Sequence, residues 1–149
     1  MEIEPTVIHP DDSAGAAAAL MVAGGTRALP VVDDDGHLVG MVRDLDVLHL
    51  LLPGYLENLA DLGFLPPDFE PGACTFGDVC RLSVQQTIEG QEPYSLDESE
   101  LILEAVHVMV RRGLGTLPVV REGRLVGVLS AQRLLRHLIQ SAAEAGAGS

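Results

Sequence analysis

The stretch ALPVVDDDGHLVGMV at residues 28–42 occurs again, one residue shorter, as TLPVVREGRLVGVL at residues 116–129. Leu-Pro-Val-Val begins at Leu29 and again 88 positions later, whereas Leu-Val-Gly begins at Leu38 and again 87 positions later. One residue is therefore missing from the second copy, between the two runs. Because short β-branched runs flank an Asp-Gly or Glu-Gly pair, each copy predicts a β-hairpin.

Apolar segments with helical periodicity precede and follow each hairpin. Before the second hairpin, Asp97 and Glu100 have the spacing of a capping box, and Gly113 is placed to end the helix. After the hairpins, helices are predicted over 44–52 and 130–140. Each copy therefore predicts a strand, a helix, two strands and a helix. Because a copy of under about 50 residues cannot bury its apolar faces alone, the two should pack together.

This duplicated pattern resembles the tandem CBS (cystathionine-β-synthase) domain pair, in which the Leu-Pro-Val-Val run, the acid-Gly turn and the Leu-Val-Gly run occur twice in this order. The resemblance implies an α/β (α+β) fold of two βαββα repeats, packed with pseudo-twofold symmetry through their sheets. Repeat 1 is expected at residues 1–52, and repeat 2, with a short lead-in helix, at residues 75–140. We expect an arm with a short helix at residues 53–74 and a disordered tail at residues 141–149.

In the CBS family, the contact to a ligand's phosphate and ribose follows the last strand: Gly, two apolar residues, Ser or Thr, two residues, then Asp. A helix N-terminus at this place offers free N–H groups and positive dipole to a phosphate. The present sequence splits the motif between its copies. The first copy keeps the acid as Asp46 but has Arg43 in place of the hydroxyl residue. The second copy keeps the hydroxyl as Ser130 but has Arg133 in place of the acid.

Two interpretations of the split motif stay open. In one, Arg43 and Arg133 clamp phosphates with their charged, forked guanidinium groups, and the first cleft is the better equipped. In the other, Asp44 and Ser130 only cap helices, and both clefts have lost their ligand. The candidate binding residues lie either at the motif or around the expected adenine pocket, where core packing is the alternative for the apolar members: Arg43, Asp44, Asp46, Ser130 and Arg133; and Thr6, Ile8, Ala28, Tyr94 and Thr116.

Acidic residues outnumber basic ones by 22 to 9, which gives a net charge of −13. Phosphate backbones and anionic lipid surfaces repel such a chain, so we expect neither nucleic-acid nor membrane binding. No apolar run reaches the roughly 20 residues that span a bilayer. The acidic start lacks the features of a signal peptide, and we therefore expect a cytoplasmic protein.

The sequence predicts neither a catalytic centre nor a metal site. All nine basic residues are Arg, which excludes lysine chemistry, and the five His residues lack metal-ligand spacing. The three contiguous acids at residues 33–35 fit a solvated turn better than a calcium loop. Cys74 and Cys80 are expected to be reduced thiols, with a disulfide between them as the alternative. We therefore expect that the chain is not an enzyme.

The resemblance implies a regulatory module that binds an adenosine-containing ligand of the AMP, ADP, ATP or S-adenosylmethionine class, with no obligatory cofactor. Such a module signals through a change in conformation or in a dimer contact. The resemblance also implies a homodimer and is compatible with a separate effector protein. A ligand-free dimerisation or protein-interaction module is the alternative, and the split motif favours it.

Overall fold

Two sheets and six helices make up the residues that a computed structural model describes, namely 6–52, 63, 76–91 and 94–147. The first half (residues 6–52) contains α1 (Ala14–Gly24), β1 (Ala28–Val32), β2 (Leu38–Arg43) and α2 (Asp44–His49). Two short helices follow, α3 (Phe76–Cys80) and α4 (Val84–Thr87). The second half (residues 94–147) contains β3 (Leu96–Asp97), α5 (Ile102–Arg112), β4 (Thr116–Arg121), β5 (Arg124–Ser130) and α6 (Ala131–Ala147). The mixed α/β fold is as predicted.

The two hairpins are built alike. β1 pairs antiparallel with β2, β4 pairs antiparallel with β5, and the register shifts at the same place, after Val31 and after Val119. Each hairpin also has a parallel partner, Ile8 beside Val31 and Leu96 beside Val119. The two Leu-Pro-Val-Val runs are fully buried. They therefore occupy equivalent environments, as the duplication predicts.

The turns of the two hairpins meet across an approximate two-fold axis. The Leu38 N–H donates to the Gly123 carbonyl at 2.9 Å, and the Leu125 N–H donates to the Gly36 carbonyl at 3.1 Å. Leu125 and Gly123 stand 87 positions after Leu38 and Gly36, so the two bonds are the same contact made in both directions. The repeats therefore pair through their sheets.

The missing residue changes the turn and leaves the pairing intact. In the second hairpin, Glu122 and Gly123 have φ of 53° and 81°, as in the primed two-residue turns whose twist suits a hairpin. The first hairpin has a longer loop, which Asp33 closes by accepting the N–H groups of Asp35 and His37 through Oδ1, both at 2.9 Å. The backbone bond from His37 is the largest cause that lowers the pKa of Asp33.

Each half has its own cluster of buried apolar side chains. The second-half cluster contains Leu96, Ala105, Met109, Leu117, Val119 and Leu134. The first-half cluster contains Ile8, Ala17, Met21, Leu29, Val31, Val42 and Val47, together with Val79, Val84 and Ile88 from the α3–α4 segment. The lead-in helix thus forms where the sequence predicts one, but its buried side chain packs in the core of the first half.

Helix α1 is covered by the α3–α4 segment, and its counterpart α5 is not covered in this way by any described residue. At Gly15 the two helices α1 and α3 come so close that an added Cβ would lie 2.9 Å from the Cys80 Cβ. The position 88 residues later in α5 is Leu103, whose side chain is 74% exposed. The two halves therefore differ in their helical surface although their hairpins match.

The prediction that Asp97 caps α5 is wrong, because α5 begins only at Ile102. Asp97 lies in β3 beside Val120, and its carboxylate accepts the N–H of Ser99 at 3.0 Å. The Glu100 carboxylate in turn accepts the Asp97 N–H at 3.1 Å. The capping-box spacing here closes a turn after a strand, since short polar side chains make the same local bonds in turns and at helix starts.

The prediction of a disordered tail from residue 141 is also wrong, because α6 continues to Ala147. Alanine has the highest intrinsic helix propensity, and residues 142, 143, 145 and 147 are all Ala. Small residues are common in frayed tails, although in this run they favour the helix. The helix predicted over 44–52 is shorter than expected and ends at His49.

Some predictions fall outside the described ranges. Apart from Gly63, the arm at residues 53–74 with its predicted short helix lies there, and so does Cys74. Cys80 in α3 carries a free thiol. Among the described residues, no helix combines the length and the apolar character that crossing a membrane requires.

Candidate ligand-binding site

The last strand of each half runs directly into a helix, and predicted site residues gather at that junction. Ala28, at the start of β1, pairs with Arg43 at the end of β2. In the second half, Thr116 pairs with Ser130 in the same way. The fold thus brings Ala28 next to Arg43 and Thr116 next to Ser130, at one end of each sheet.

The first N–H group of each of these helices already has a partner. The Asp44 N–H donates to the Arg27 carbonyl, and the Ala131 N–H donates to the Gly115 carbonyl, both at 2.9 Å. Equivalent positions thus make equivalent bonds in the two halves. A phosphate at either junction would depend on side-chain donors and on the later N–H groups of the first helical turn.

Both oxygens of the Asp46 carboxylate accept hydrogen bonds. Oδ2 accepts the Arg43 N–H at 2.9 Å, the Arg43 Nε at 3.2 Å and the Gln91 Nε2 at 2.8 Å. Oδ1 accepts the Arg43 Nη2 at 3.1 Å. The Asp46 side chain is only 14% exposed, whereas that of Arg43 is 48% exposed. The retained acid of the motif is therefore held by Arg43 and by a residue from outside the motif.

The second arginine of the first junction also faces an acid. Arg27 Nε donates to Asp44 Oδ2 at 3.2 Å, and Asp44 Oδ1 accepts the N–H of Leu45 at 2.7 Å. Together with the Arg43–Asp46 pair, this leaves the positive charges of the first junction balanced by its own carboxylates. An anionic ligand must compete with them for the guanidinium groups.

The second junction is arranged differently. The Ser130 hydroxyl accepts the Arg133 N–H at 3.1 Å and thereby caps α6, as one of the two interpretations of the motif predicts. The Arg133 side chain is exposed and forms no ion pair with any described residue. Within the described part of the chain, Arg133 has no acidic partner, and its motif position holds no carboxylate for a ribose.

The adenine-side candidates have different environments. Ile8 is 1% exposed and packs in the core of the first half, whereas Thr6, two positions earlier, is exposed. Tyr94 is half-buried, and its hydroxyl accepts a hydrogen bond from Arg112 Nη1 at 2.6 Å. The Arg112 guanidinium also lies 4.2 Å from the centre of the Tyr94 ring, at cation–π distance. Arg112 is thus a partner of Tyr94, which the sequence did not indicate.

A surface depression of about 360 Å³ adjoins Asp46. It lies between α2 and the segment that follows α4, and it is lined by Leu45, Asp46, His49, Leu50, Thr87, Glu89, Gly90 and Gln91. Four of these residues come from a segment about 45 positions away from α2. No local pattern indicates them, because only the packing of that segment on the first half brings them to Asp46.

A small polar cluster lies away from both junctions, in the turn of the first hairpin. One ligand atom each from Asp33, Asp35 and His37 lies within 4.8 Å of the others. Asp33 Oδ1 in this cluster already accepts two backbone N–H groups. These bonds account for the grouping as a side-chain-closed turn, in line with the solvated turn that the sequence predicts.

Comparisons with known proteins identify the family that has this architecture. The sequence profile of the CBS domain family matches residues 1–53 and 87–140. A CBS domain-containing protein of Dictyostelium discoideum is 31% identical over 134 residues, which is 89% of this chain and 83% of that protein. Hypoxic response protein 1 of Mycobacterium tuberculosis is 28% identical over 137 residues, or 92% of this chain and 80% of that protein.

A solved structure supports the same assignment to the CBS domain family. CBSX2 of Arabidopsis thaliana, in complex with AMP, has 25% sequence identity and a TM-score of 0.69, with 94% of each chain covered. The two profile matches coincide with the two copies of the hairpin and its flanking helices. The relatives align over most of the chain and therefore include both copies. This chain belongs to the CBS domain family and is a tandem pair of CBS repeats.

Proposed function

We propose that this chain is a regulatory module and not an enzyme, and that it binds an adenosine-containing ligand of the AMP class beside Asp46. One observation carries the proposal: the acid that the family motif retains in this sequence lines the depression next to α2. The AMP complex of CBSX2, a structure with the same fold, supports the choice of ligand class.

The ribose end of the ligand is assigned to Asp46. An ionised carboxylate only accepts hydrogen bonds, and the paired hydroxyls of a ribose are suitable donors. The low exposure of Asp46, at 14%, strengthens such bonds relative to a fully solvated acid. Oδ1 accepts one hydrogen bond and has room for a hydroxyl, whereas Oδ2 accepts three, so a second hydroxyl must replace a donor at Oδ2.

The phosphate end is assigned to Arg43. A guanidinium group has five N–H donors, and Arg43 uses only its Nε and Nη2 atoms toward Asp46. The remaining donors suit a phosphate, and Arg favours bidentate contacts with such groups. Arg43 therefore holds Asp46 in place while it presents charge to the ligand.

Signalling is assigned to β2, which connects the site to the other repeat. This strand ends at Arg43 in the site and begins at Leu38, whose N–H donates to Gly123 of the second half. A ligand that binds one arrangement of β2 and α2 better than another shifts the population of that arrangement. The contact between the repeats then reports the occupancy of the site to a partner subunit or effector.

Calorimetric titration with AMP, ADP, ATP, S-adenosylmethionine and NAD tests this proposal. We expect AMP-class binding that Asp46→Asn weakens by about tenfold or more, because a charge-assisted hydrogen bond is lost. Asp34→Asn is the matched control: it removes the same charge from an exposed position in the hairpin turn and should leave affinity unchanged. Heat signals absent across the whole panel would contradict the proposal.

A ligand-free dimerisation module is the second candidate, and exposed apolar side chains favour it. Large exposed apolar residues grouped on a surface mark interaction sites in soluble proteins. On α6, Leu135, Leu138 and Ile139 follow helical spacing and are 54%, 46% and 67% exposed. On α2, Leu45 and Leu48 are 61% and 52% exposed. Light scattering on the titrated samples separates the candidates, since this one requires a homodimer that persists without any ligand binding.

A further inference from the structure

We infer that Gln91 competes internally for Asp46: its side-chain amide takes an acceptor position that a ribose hydroxyl would use, and ligand binding displaces it. Gln91 lies outside the family motif and comes from the segment that follows α4. The inference rests on the proposed function and adds to it a means of regulating the same site.

The carboxylate of Asp46 leaves little room for a further donor. Its two oxygens offer about four lone-pair positions. Four hydrogen bonds already reach them, three from Arg43 and one from Gln91 Nε2. At 2.8 Å, the bond from Gln91 is the shortest of the four. Three of the four reach Oδ2 and only one reaches Oδ1. Two ribose hydroxyls that bond to both oxygens therefore need a position on Oδ2 that one of its present donors must leave.

Gln91 is the donor that can leave without disrupting the fold. Arg43 is the N-cap residue of α2, and its N–H bond to Asp46 closes the start of that helix. The Gln91 side chain carries no comparable role in a described helix or strand. Displacing Gln91 costs one hydrogen bond from a neutral amide, whereas displacing the Arg43 guanidinium breaks an ion pair and displacing the Arg43 N–H opens the helix start.

The backbone nevertheless holds Gln91 over the site. Its N–H donates to the Ile88 carbonyl at 3.1 Å, and Gly90 between them has a φ of 84°. Ile88 anchors this turn, since its side chain is only 6% exposed within the core of the first half. The amide group is thus preorganised next to Asp46 and pays little conformational entropy to bond there.

The turn at residues 88–91 also packs closely against Gly40, the glycine of the motif. A Cβ added at Gly40 would be 3.2 Å from Ile88 Cδ1 and 4.0 Å from Gln91 Oε1. Gln91 is therefore confined between strand β2 and Asp46. Its release would change the contact between β2 and the chain segment that leads to the second half, so that segment can report ligand occupancy.

The second half lacks the groups that such competition needs. Its motif has Arg133 where the first half has Asp46, so a Gln amide would find no carboxylate there. The competition is therefore confined to one of the two clefts. It would give the module a single regulated site in an otherwise duplicated framework.

The test compares AMP affinity among three variants by calorimetry. Gln91→Ala and Gln91→Met both remove the amide donor, and Met keeps the bulk of the side chain. We expect both to bind AMP roughly fivefold to tenfold more tightly than the unmodified chain, the value of one modest hydrogen bond. Gln85→Ala is the matched control, because Gln85 is exposed and lines no part of the depression; its affinity should be unchanged.

Each outcome of the titration decides one question. Tightening in both Gln91 variants supports the competition. Tightening in Gln91→Ala alone means that bulk and not the hydrogen bond obstructs the site, which overturns the inference. AMP binding that neither variant tightens overturns the inference and leaves the proposed function standing. If the unmodified chain and both variants fail to bind any nucleotide of the panel, the proposed function fails and the inference fails with it.

A second measurement follows the Gln91 side chain itself. Its amide signals in a ¹H–¹⁵N NMR spectrum are assigned by their loss in Gln91→Met. We expect them to move toward the position of a solvated Gln amide when AMP saturates the site. Signals that stay in place at saturation would show that the ligand does not displace Gln91, and the inference would be wrong.

Discussion

The two halves of this molecule share their hairpins and differ in what lies against them. In both, a buried Leu-Pro-Val-Val strand pairs with a second strand, and the hairpin turns bond to each other reciprocally. In the first half, however, the α3–α4 segment covers α1, and Gln91 reaches the site. In the second half, Leu103 on α5 is exposed and Arg133 is left without an acidic partner among the described residues.

This difference shows that the repeated hairpins and the segment at residues 76–91 have separate structural roles. The repeated residues form the paired sheets, which need the same packing on both sides of the two-fold axis. The segment at residues 76–91 packs its buried side chains in the core of the first half. The two strand–helix junctions thereby differ: the first pairs Arg27 and Arg43 with its own carboxylates, and Arg133 of the second has no acidic partner in the ranges that the structure describes.

The largest expected effect tests whether the halves are one cooperative unit. Leu29 and Leu117 are 2% and 0% exposed, and each Leu→Ala change should lower the free energy of unfolding by about 2–5 kcal/mol. Because the halves share the contact at their turns, each variant should shift one single transition in chemical denaturation. Val110→Ala, at a 75% exposed position, is the control and should change the value by at most about 0.5 kcal/mol. Two separate transitions would contradict the shared unit.

A smaller effect tests the contact that only the first half makes. Gly15→Ala should lower the free energy of unfolding by about 1 kcal/mol or more, because the new Cβ would lie 2.9 Å from the Cys80 Cβ. Gly24→Ala in the same helix is the matched control: its nearest neighbour would be 3.9 Å away, so helix propensity should make it neutral or stabilising. Equal effects of the two changes, measured by urea denaturation, would show that α1 and α3 do not pack closely.

The smallest effect tests the turn that distinguishes the two hairpins. The N–H of His37, followed by that of Asp35, lowers the pKa of Asp33 below its usual value of 3.8. A pKa that is lower in the folded chain than in the unfolded chain stabilises the fold at pH values above the usual pKa. This stabilisation is lost as the pH falls through the lowered pKa of the folded chain. The Tm of the unmodified chain should therefore exceed that of Asp33→Asn by more at pH 7 than at pH 3. A Tm difference that is independent of pH would contradict this role of Asp33.

Much of the fold could be predicted from local patterns. The hairpins follow from β-branched runs beside Gly-containing turns, and the end of α5 at Gly113 follows from the glycine that adopts left-handed φ there. Where the predictions were wrong, local rules were ambiguous. Asp97 and Glu100 make capping-type bonds that serve a turn as well as a helix, and the Ala-rich end of α6 could be taken for a frayed tail.

The site could be predicted only in part. The motif identifies Asp46 and Arg43, because both belong to a short continuous pattern after a strand. Gln91 belongs to no such pattern and lies 45 positions from Asp46. The bond between Arg43 and Asp46 was not predicted either, since the same guanidinium could have faced solvent or a ligand.

The sequence by itself determined the duplication, the pairing of the repeats and the family, since these depend on residues that recur at a fixed spacing and bury the same apolar surface twice. Only the tertiary structure decided which half the segment at residues 76–91 covers and which donors reach Asp46. Such contacts join residues far apart in the chain, and their geometry depends on how whole elements pack. Local propensity and periodicity carry no information about that packing.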